Sequence, residues 1–162
     1  MSRAAQYREW FEYEVKSHAT VRAALEAVIP TRRGDPAFQK AIDLMAHIVQ
    51  ARRLWLARFG VPIEAPRDIF PTPVPVKALA EQFAAMEEPW RAYMEGLDEA
   101  ELDRRFVYTA LDGHRWENAV HEILTQLHGH SLYHRGQVAL LLRLIGETPP
   151  VTDYVYATRR AV

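Results

Sequence analysis

The sequence predicts an all-α protein: a four-helix bundle with a long proline-rich crossover and a small β-hairpin before the last helix. Three observations predict it. Four stretches of about twenty residues or more carry apolar side chains at helical spacing. One connection, Val61 to Pro75, holds five prolines and cannot be regular helix. One short stretch around Asp112-Gly113 changes to the alternation of strands. At 162 residues the chain is expected to form one domain, residues 1–162, large enough for a single core. Helix packed on helix is the arrangement that buries four such apolar stripes. No internal repeat or low-complexity segment competes with it.

The first helix is expected from about Ala4 to Ile29, where Tyr7, Trp10, Phe11, Val15, Val21, Leu25 and Val28 recur at helical spacing before Pro30. The segment TRRGDP, Thr31 to Pro36, reads as a loop. Its Asp35 is a plausible N-cap, with Pro36 at the first position of the second helix. That helix runs to about Phe59 and stops at Gly60. Its expected inner stripe is Leu44, His47, Ala51 and Leu54. The run VPIEAPRDIFPTPVP then carries the chain over the surface, so the next helix need not be a simple antiparallel neighbour. A third helix follows from about Val76 to Gly96, with Leu79, Phe83, Met86, Trp90 and Tyr93 inward and Pro89 interrupting it. Leu97 to Leu102 allows one short helical turn. In RRFVYTALDGHRWENA, Phe106, Tyr108 and Ala110 alternate before Asp112-Gly113 and a second strand begins at His114, which reads as a hairpin. Asn118 is the expected cap of the fourth helix. The tail beyond Gly146 is expected to be extended or irregular, with Tyr154, Val155 and Tyr156 packing on the bundle or on another subunit.

Composition removes several functions. Cysteine is absent, which excludes disulfides, thiolate metal sites and a protein thiol nucleophile. Histidine and carboxylate remain as side-chain metal ligands. The net charge is −1 and the arginines are dispersed as pairs, so no basic tract points to nucleic acid. No segment has the roughly eighteen apolar residues of a membrane span. A soluble, cytoplasmic protein acting on a small molecule is the expectation.

The last helix carries the chemistry. ILTQLHGHSLYHRGQVALLLRLIG, Ile123 to Gly146, places His130 and His134 four residues apart, one turn above the other on one face. At roughly 100° per residue, Ile123, Leu127, Gln137, Leu141 and Leu144 fall toward the same side. His121 and His128 lie roughly opposite and are expected to be surface or packing residues. Two imidazoles and an amide in an apolar stripe need partners for their polar atoms. A bound cation is one solution, and hydrogen bonds within the core are the other. His47 sits in an apolar seam of the second helix and is the third candidate ligand. Gln50 and Arg58 lie toward the same side of that helix as candidates to contact the ligands or a substrate, as does Gln137 on the last helix.

The run HSLYHRGQ, His130 to Gln137, followed by LRLIGETPP, resembles the signature of the DinB/YfiT-like family. LMAHIVQARRLWLARF in the second helix, the proline-rich crossover and the hairpin before the last helix match the order of that family over nearly the whole chain. Where family members often carry asparagine or histidine near Gly129 and Tyr133, this chain has a small and an aromatic residue. The resemblance implies an up-down-down-up bundle, often a homodimer, binding one divalent cation through His47, His130 and His134. Arg135 and Gly136 belong to the same motif but project away from the ligands. Arg135 is expected to pair with a carboxylate of a neighbouring helix, and Gly136 to permit close helix packing.

Three imidazoles leave coordination positions open, as in catalytic metal sites, and suit zinc, nickel or iron. An open position lowers the pKa of water or takes a thiol as its thiolate. Relatives of the family transfer bacillithiol or mycothiol to an electrophile, so the resemblance favours a metal-dependent transferase of a low-molecular-weight thiol. A metal-dependent hydrolase is the alternative and requires a general base. Glu14 is the conceivable base, although a solvated surface carboxylate is the commoner role for such a residue. The third reading is a metal- or ligand-binding stress protein without catalysis.

Overall fold

Helix caps and a run of prolines set the lengths of the long helices. The computed structural model describes residues 1–161. Helix α1 (Arg3–Ala27) begins behind Ser2, whose hydroxyl accepts from the Ala5 N–H. Helix α2 (Pro36–Arg58) has the expected Asp35 cap, which accepts from the Ala37 N–H at 2.8 Å, with Pro36 at its first position. It ends before Gly60, whose φ of 87° few other residues adopt. Helix α3 (Leu79–Glu95) is entered through a 3-10 turn at Val76–Ala78 and contains Pro89 within its length. The short α4 (Glu99–Asp103) is capped by Asp98.

Strands β1 (Arg105–Thr109) and β2 (Arg115–Ala119) form the expected antiparallel hairpin, with Tyr108 opposite Trp116. Helix α5 (Val120–Leu144) follows directly, and α6 (Tyr154–Thr158) lies in the tail. Two expectations are corrected here. Asn118 belongs to the ladder opposite Phe106, and the start of α5 is closed by the Glu122 carboxylate, which accepts from the Ala119 N–H at 2.8 Å. The tail is partly helical: the Tyr154 ring meets Tyr13 edge-on at 5.0 Å and its hydroxyl donates to Glu9, while Val155 and Tyr156 stay exposed.

The described residues thus form six α-helices and one two-stranded sheet. None of these helices is long and apolar enough to cross a membrane. Helix α2 packs against α5 and α3, and α1 packs against the same two. On α3 Leu79, Phe83, Met86 and Trp90 are buried, as the spacing predicts, while Tyr93 is only half-buried. The other three long helices depart from expectation because each carries polar residues on its innermost face. The buried positions of α1 include Phe11, Glu14, His18, Val21 and Leu25; those of α2 include Met45, Val49, Arg52 and Leu56; those of α5 include Leu127, Ser131, Arg135, Val138 and Leu142. Leu44, Ala51 and Leu54 are only half-buried, and Leu144 is exposed.

These buried polar side chains meet. Glu14 forms an ion pair with Arg52, which also donates to Ser131 Oγ at 3.5 Å, while Trp90 Nε1 donates to the Arg52 carbonyl at 3.2 Å. Glu14 is therefore a core residue, 3% exposed, and not a solvated surface carboxylate. Arg135 bonds the Tyr13 hydroxyl at 2.9 Å and lies over that ring, where a carboxylate partner was expected. Gly136 is exposed, with open space around its Cβ direction, so it mediates no close packing in the chain.

His18 is fully enclosed, and burial, only partly opposed by the Glu14 charge, depresses its pKa from 6.5 to about 3. Burial alone would raise the Glu14 pKa, but Arg52, His128 and His18 bring it down to about 2. Both shifts act in one direction. Below pH 6.5 the unfolded chain takes up a proton that native His18 refuses, and below pH 4.5 the same holds for Glu14, so stability is complete above these values and falls with acid. Urea unfolding at pH 7 and pH 5 is expected to show this loss in the native sequence. In His18→Gln the loss over the same interval should be smaller by about 2 kcal/mol. Equal losses would mean that His18 is protonated in the folded protein.

Candidate metal centre

His47 comes from the middle of α2, and His130 and His134 from successive turns of α5. Their positions sit beside the innermost stripes of these helices, so the rings gather at the edge of the core next to the crossover. His47 Nε2 lies 3.0 Å from His130 Nε2, and His134 Nε2 lies 3.1 Å from the same atom. The three ligand atoms are all within 4.8 Å of one another, and the group contains no carboxylate.

Neighbouring groups fix which nitrogens are free. The Ile69 carbonyl can only accept, so His47 Nδ1 at 2.5 Å carries the proton and its Nε2 is a lone pair. His134 Nδ1 likewise donates to Gln137 Oε1 at 2.7 Å and directs its Nε2 lone pair inward. His130 Nε2 faces both. One proton on it satisfies one neighbour and leaves the other as lone pair against lone pair, whereas one cation satisfies all three. Nitrogen ligands about 2.0–2.1 Å from an ion stand roughly 2.9 Å apart on an octahedral face and roughly 3.4 Å apart in a tetrahedron. The two spacings to His130 fall in that range and the third pair lies within 4.8 Å, so the three-histidine group can hold a metal ion.

Electrostatics favours the neutral, ligating form. Burial lowers the His130 pKa to about 4, with further contributions from His134, His47 and Arg52. Burial also lowers that of His134, opposed by its bond to Gln137. Phe70 stacks on the His47 ring, centroids 4.3 Å apart and planes 8° apart, shielding one face.

A cavity of ≈ 530 Å³ opens beside His47 and His130. The half-buried α2 stripe of Ala51 and Leu54 forms one wall, and the crossover residues Ile69 and Phe70 another. The hairpin closes it through Tyr108, Ala110, Leu111 and Asp112. Arg58 lines this cavity three turns from His47, whereas Gln50 does not. His128 has the packing role expected of it, stacked on Trp10 with centroids 4.7 Å apart. Glu14 stands apart from the histidine group and is engaged by Arg52. The sequence did not disclose the Ile69 carbonyl, the Phe70 cover or the hairpin wall. Neither the crossover nor the hairpin follows the helical repeat that would project it onto a helix face; the available signal is two aromatic residues outside the long helices, Phe70 in the crossover and Tyr108 in β1.

Fold and site together define a mostly helical protein with an open three-imidazole group that can hold a metal ion. The particular family is given by the sequence over its length: the DinB family model matches residues 1–161, and the chain belongs to that family. A search of curated proteins finds no match to the chain.

The geometry separates the histidines by their effect on metal content. Protein purified without chelator is expected to hold about one equivalent of zinc, nickel or iron by elemental analysis. His47→Ala and His130→Ala should each lose most of it, and His128→Ala should retain it. Equal loss in all three would place the cation elsewhere.

Proposed function

We propose that the four long helices form an up-down-down-up four-helix bundle in which His47, His130 and His134 hold one divalent cation, and that the protein transfers a low-molecular-weight thiol to a small electrophile. The observation that carries this reading is the convergence of three Nε2 atoms, two with tautomers set by Ile69 and Gln137, at the end of an aromatic-lined cavity. A cation there lowers the pKa of a thiol or of water and so supplies a nucleophile at neutral pH. Zinc, nickel and iron all suit the donor set.

The residues around the histidines favour the thiol. Gln137 and the Ile69 carbonyl hold two rings in the ligating orientation, in the manner of outer partners of metal-bound histidines. Phe70 keeps water from one side of His47. Hydrolysis would need a base beside the attacking water. The histidine group contains no carboxylate, and Glu14, held at about pKa 2 and paired with Arg52, is a poor proton acceptor. An ionised thiol attacks without such a base. Exposed Leu132, Tyr133, Leu140 and Leu144 on α5 support a homodimer as part of the same reading.

Zinc-loaded protein incubated with bacillithiol or mycothiol and monochlorobimane should form the thioether faster than the uncatalysed mixture, with the acceleration lost in His130→Ala. Ester hydrolysis without thiol would favour the hydrolase, and no turnover of either kind would leave a binding protein. Light scattering should give twice the chain mass across concentrations, and a concentration-independent monomer mass removes the dimer.

A further inference from the structure

We propose that the cavity beside the three histidines accepts an elongated apolar acid whose carboxylate is held by Arg58 at the end away from the histidines. This rests on reading the cavity as the substrate site of the metal centre, and it adds the class of molecule that the cavity selects.

Arg58 carries an unpaired charge. Arg58 has no carboxylate within 4.0 Å among the described residues. Its one protein hydrogen bond runs from a terminal nitrogen to the Thr109 carbonyl at 2.7 Å, so Nε and the other terminal nitrogen have no protein acceptor. The guanidinium lies against two aromatic rings on one side, 4.7 Å from the Trp55 centroid and 5.1 Å from that of Tyr108. The rings themselves meet edge-on at 4.8 Å. The Thr109 bond and the two rings thus restrain the group before any ligand arrives, which reduces the entropy lost when a flexible side chain binds. Burial also pushes its pKa down, the direction expected of a cation lacking a counter-charge. An anion in the cavity relieves that cost.

The walls decide what kind of anion. Leu54, Trp55, Phe70 and Leu111 give the cavity an apolar lining. Asp112, the one acidic side chain in that lining, is exposed at the hairpin tip and accepts from the His114 N–H at 3.0 Å. Inorganic phosphate or a sugar phosphate would leave its remaining oxygens against hydrocarbon. A monocarboxylate on an apolar body satisfies both Arg58 and the walls, and a planar guanidinium matches a carboxylate in shape. His47 and Arg58 are eleven residues apart on one straight helix, roughly 16 Å between Cα atoms. A molecule in contact with both ends is therefore extended, with its acid group remote from the atom that reacts.

The test uses 4-phenylbutanoate and its neutral amide, 4-phenylbutanamide, titrated into the full-length protein as purified and again with excess EDTA, followed by calorimetry. The acid is expected to bind about tenfold more tightly than the amide under both conditions. Arg58→Gln should bind the two alike, and Arg58→Lys should keep part of the preference. Leu54→Trp, which fills the cavity and leaves Arg58 in place, should weaken both ligands and serves if the Arg58 variants do not fold. Equal affinity in the native sequence, a preference that survives Arg58→Gln, or no binding of either compound overturns the assignment. Acid binding that disappears with EDTA also overturns it, because the carboxylate would then be on the metal. Preference for the acid in EDTA-treated protein stands whether or not thiol transfer is observed, so the two readings fail separately.

Discussion

The ion pair between Glu14 and Arg52 is the constraint on which the helical assembly depends. Glu14 belongs to α1 and Arg52 to α2; the same guanidinium reaches Ser131 on α5, and the Arg52 carbonyl takes the Trp90 N–H of α3. One cluster therefore touches all four long helices. Apolar side chains tolerate sliding of a helix by a few tenths of an ångström, whereas a buried charge that loses its partner costs several kcal/mol. The cluster sets the relative height and rotation of α1, α2, α3 and α5. His47 lies five residues before Arg52, and Ser131 lies next to His130. Fixing the Arg52 and Ser131 positions leaves the imidazoles little freedom to separate.

This proximity explains why the histidines are at the margin of the core. The innermost arc of α2 and α5 is taken by Arg52, Ser131, Arg135 and their apolar neighbours. His47, His130 and His134 are displaced around each helix toward the crossover. There they are dry enough for burial to depress the pKa of His130 and His134, yet open to a cavity on one side. A fully enclosed triad would bind a cation without admitting anything to react. The crossover completes the arrangement: Asp43 on α2 accepts from the Val74 N–H at 2.9 Å and from the Thr72 hydroxyl, so the segment that supplies Ile69 and Phe70 is tied to the same helix as His47.

Much of this was legible in the sequence, for identifiable reasons. Helix lengths followed from Asp35-Pro36, Gly60 and the prolines of the crossover, because these act through local backbone geometry. The hairpin followed from alternation around Asp112-Gly113. His130 and His134 share a face by helical pitch alone, and His47 was the one histidine in an apolar seam of the second helix. The phase of the core was harder to read. Glu14 and His18 are spaced with Phe11, Val21 and Leu25 as core residues are, but a rule that seeks apolar side chains passes over them. The same rule points to Leu44, Ala51 and Leu54 as core, whereas all three are only half-buried and Ala51 and Leu54 face the cavity. Asn118 does not act as a cap because the strand continues to the first turn of α5, where the Glu122 carboxylate closes the helix end. Contacts such as Ile69 with His47 depend on the path of a connection that has no periodicity.

The division between helices and hairpin has a consequence for how such a protein can diverge. The histidines and the ion-pair cluster reside on helices whose every inward position is constrained by several neighbours. Ala110, Leu111 and Asp112 form the outer wall of the cavity from the turn of a hairpin, where insertions and exchanges disturb little else. Descendants of one ancestral chain can therefore acquire different cavities by lengthening or rewriting a few residues of that turn, while inheriting the same core and the same three imidazoles.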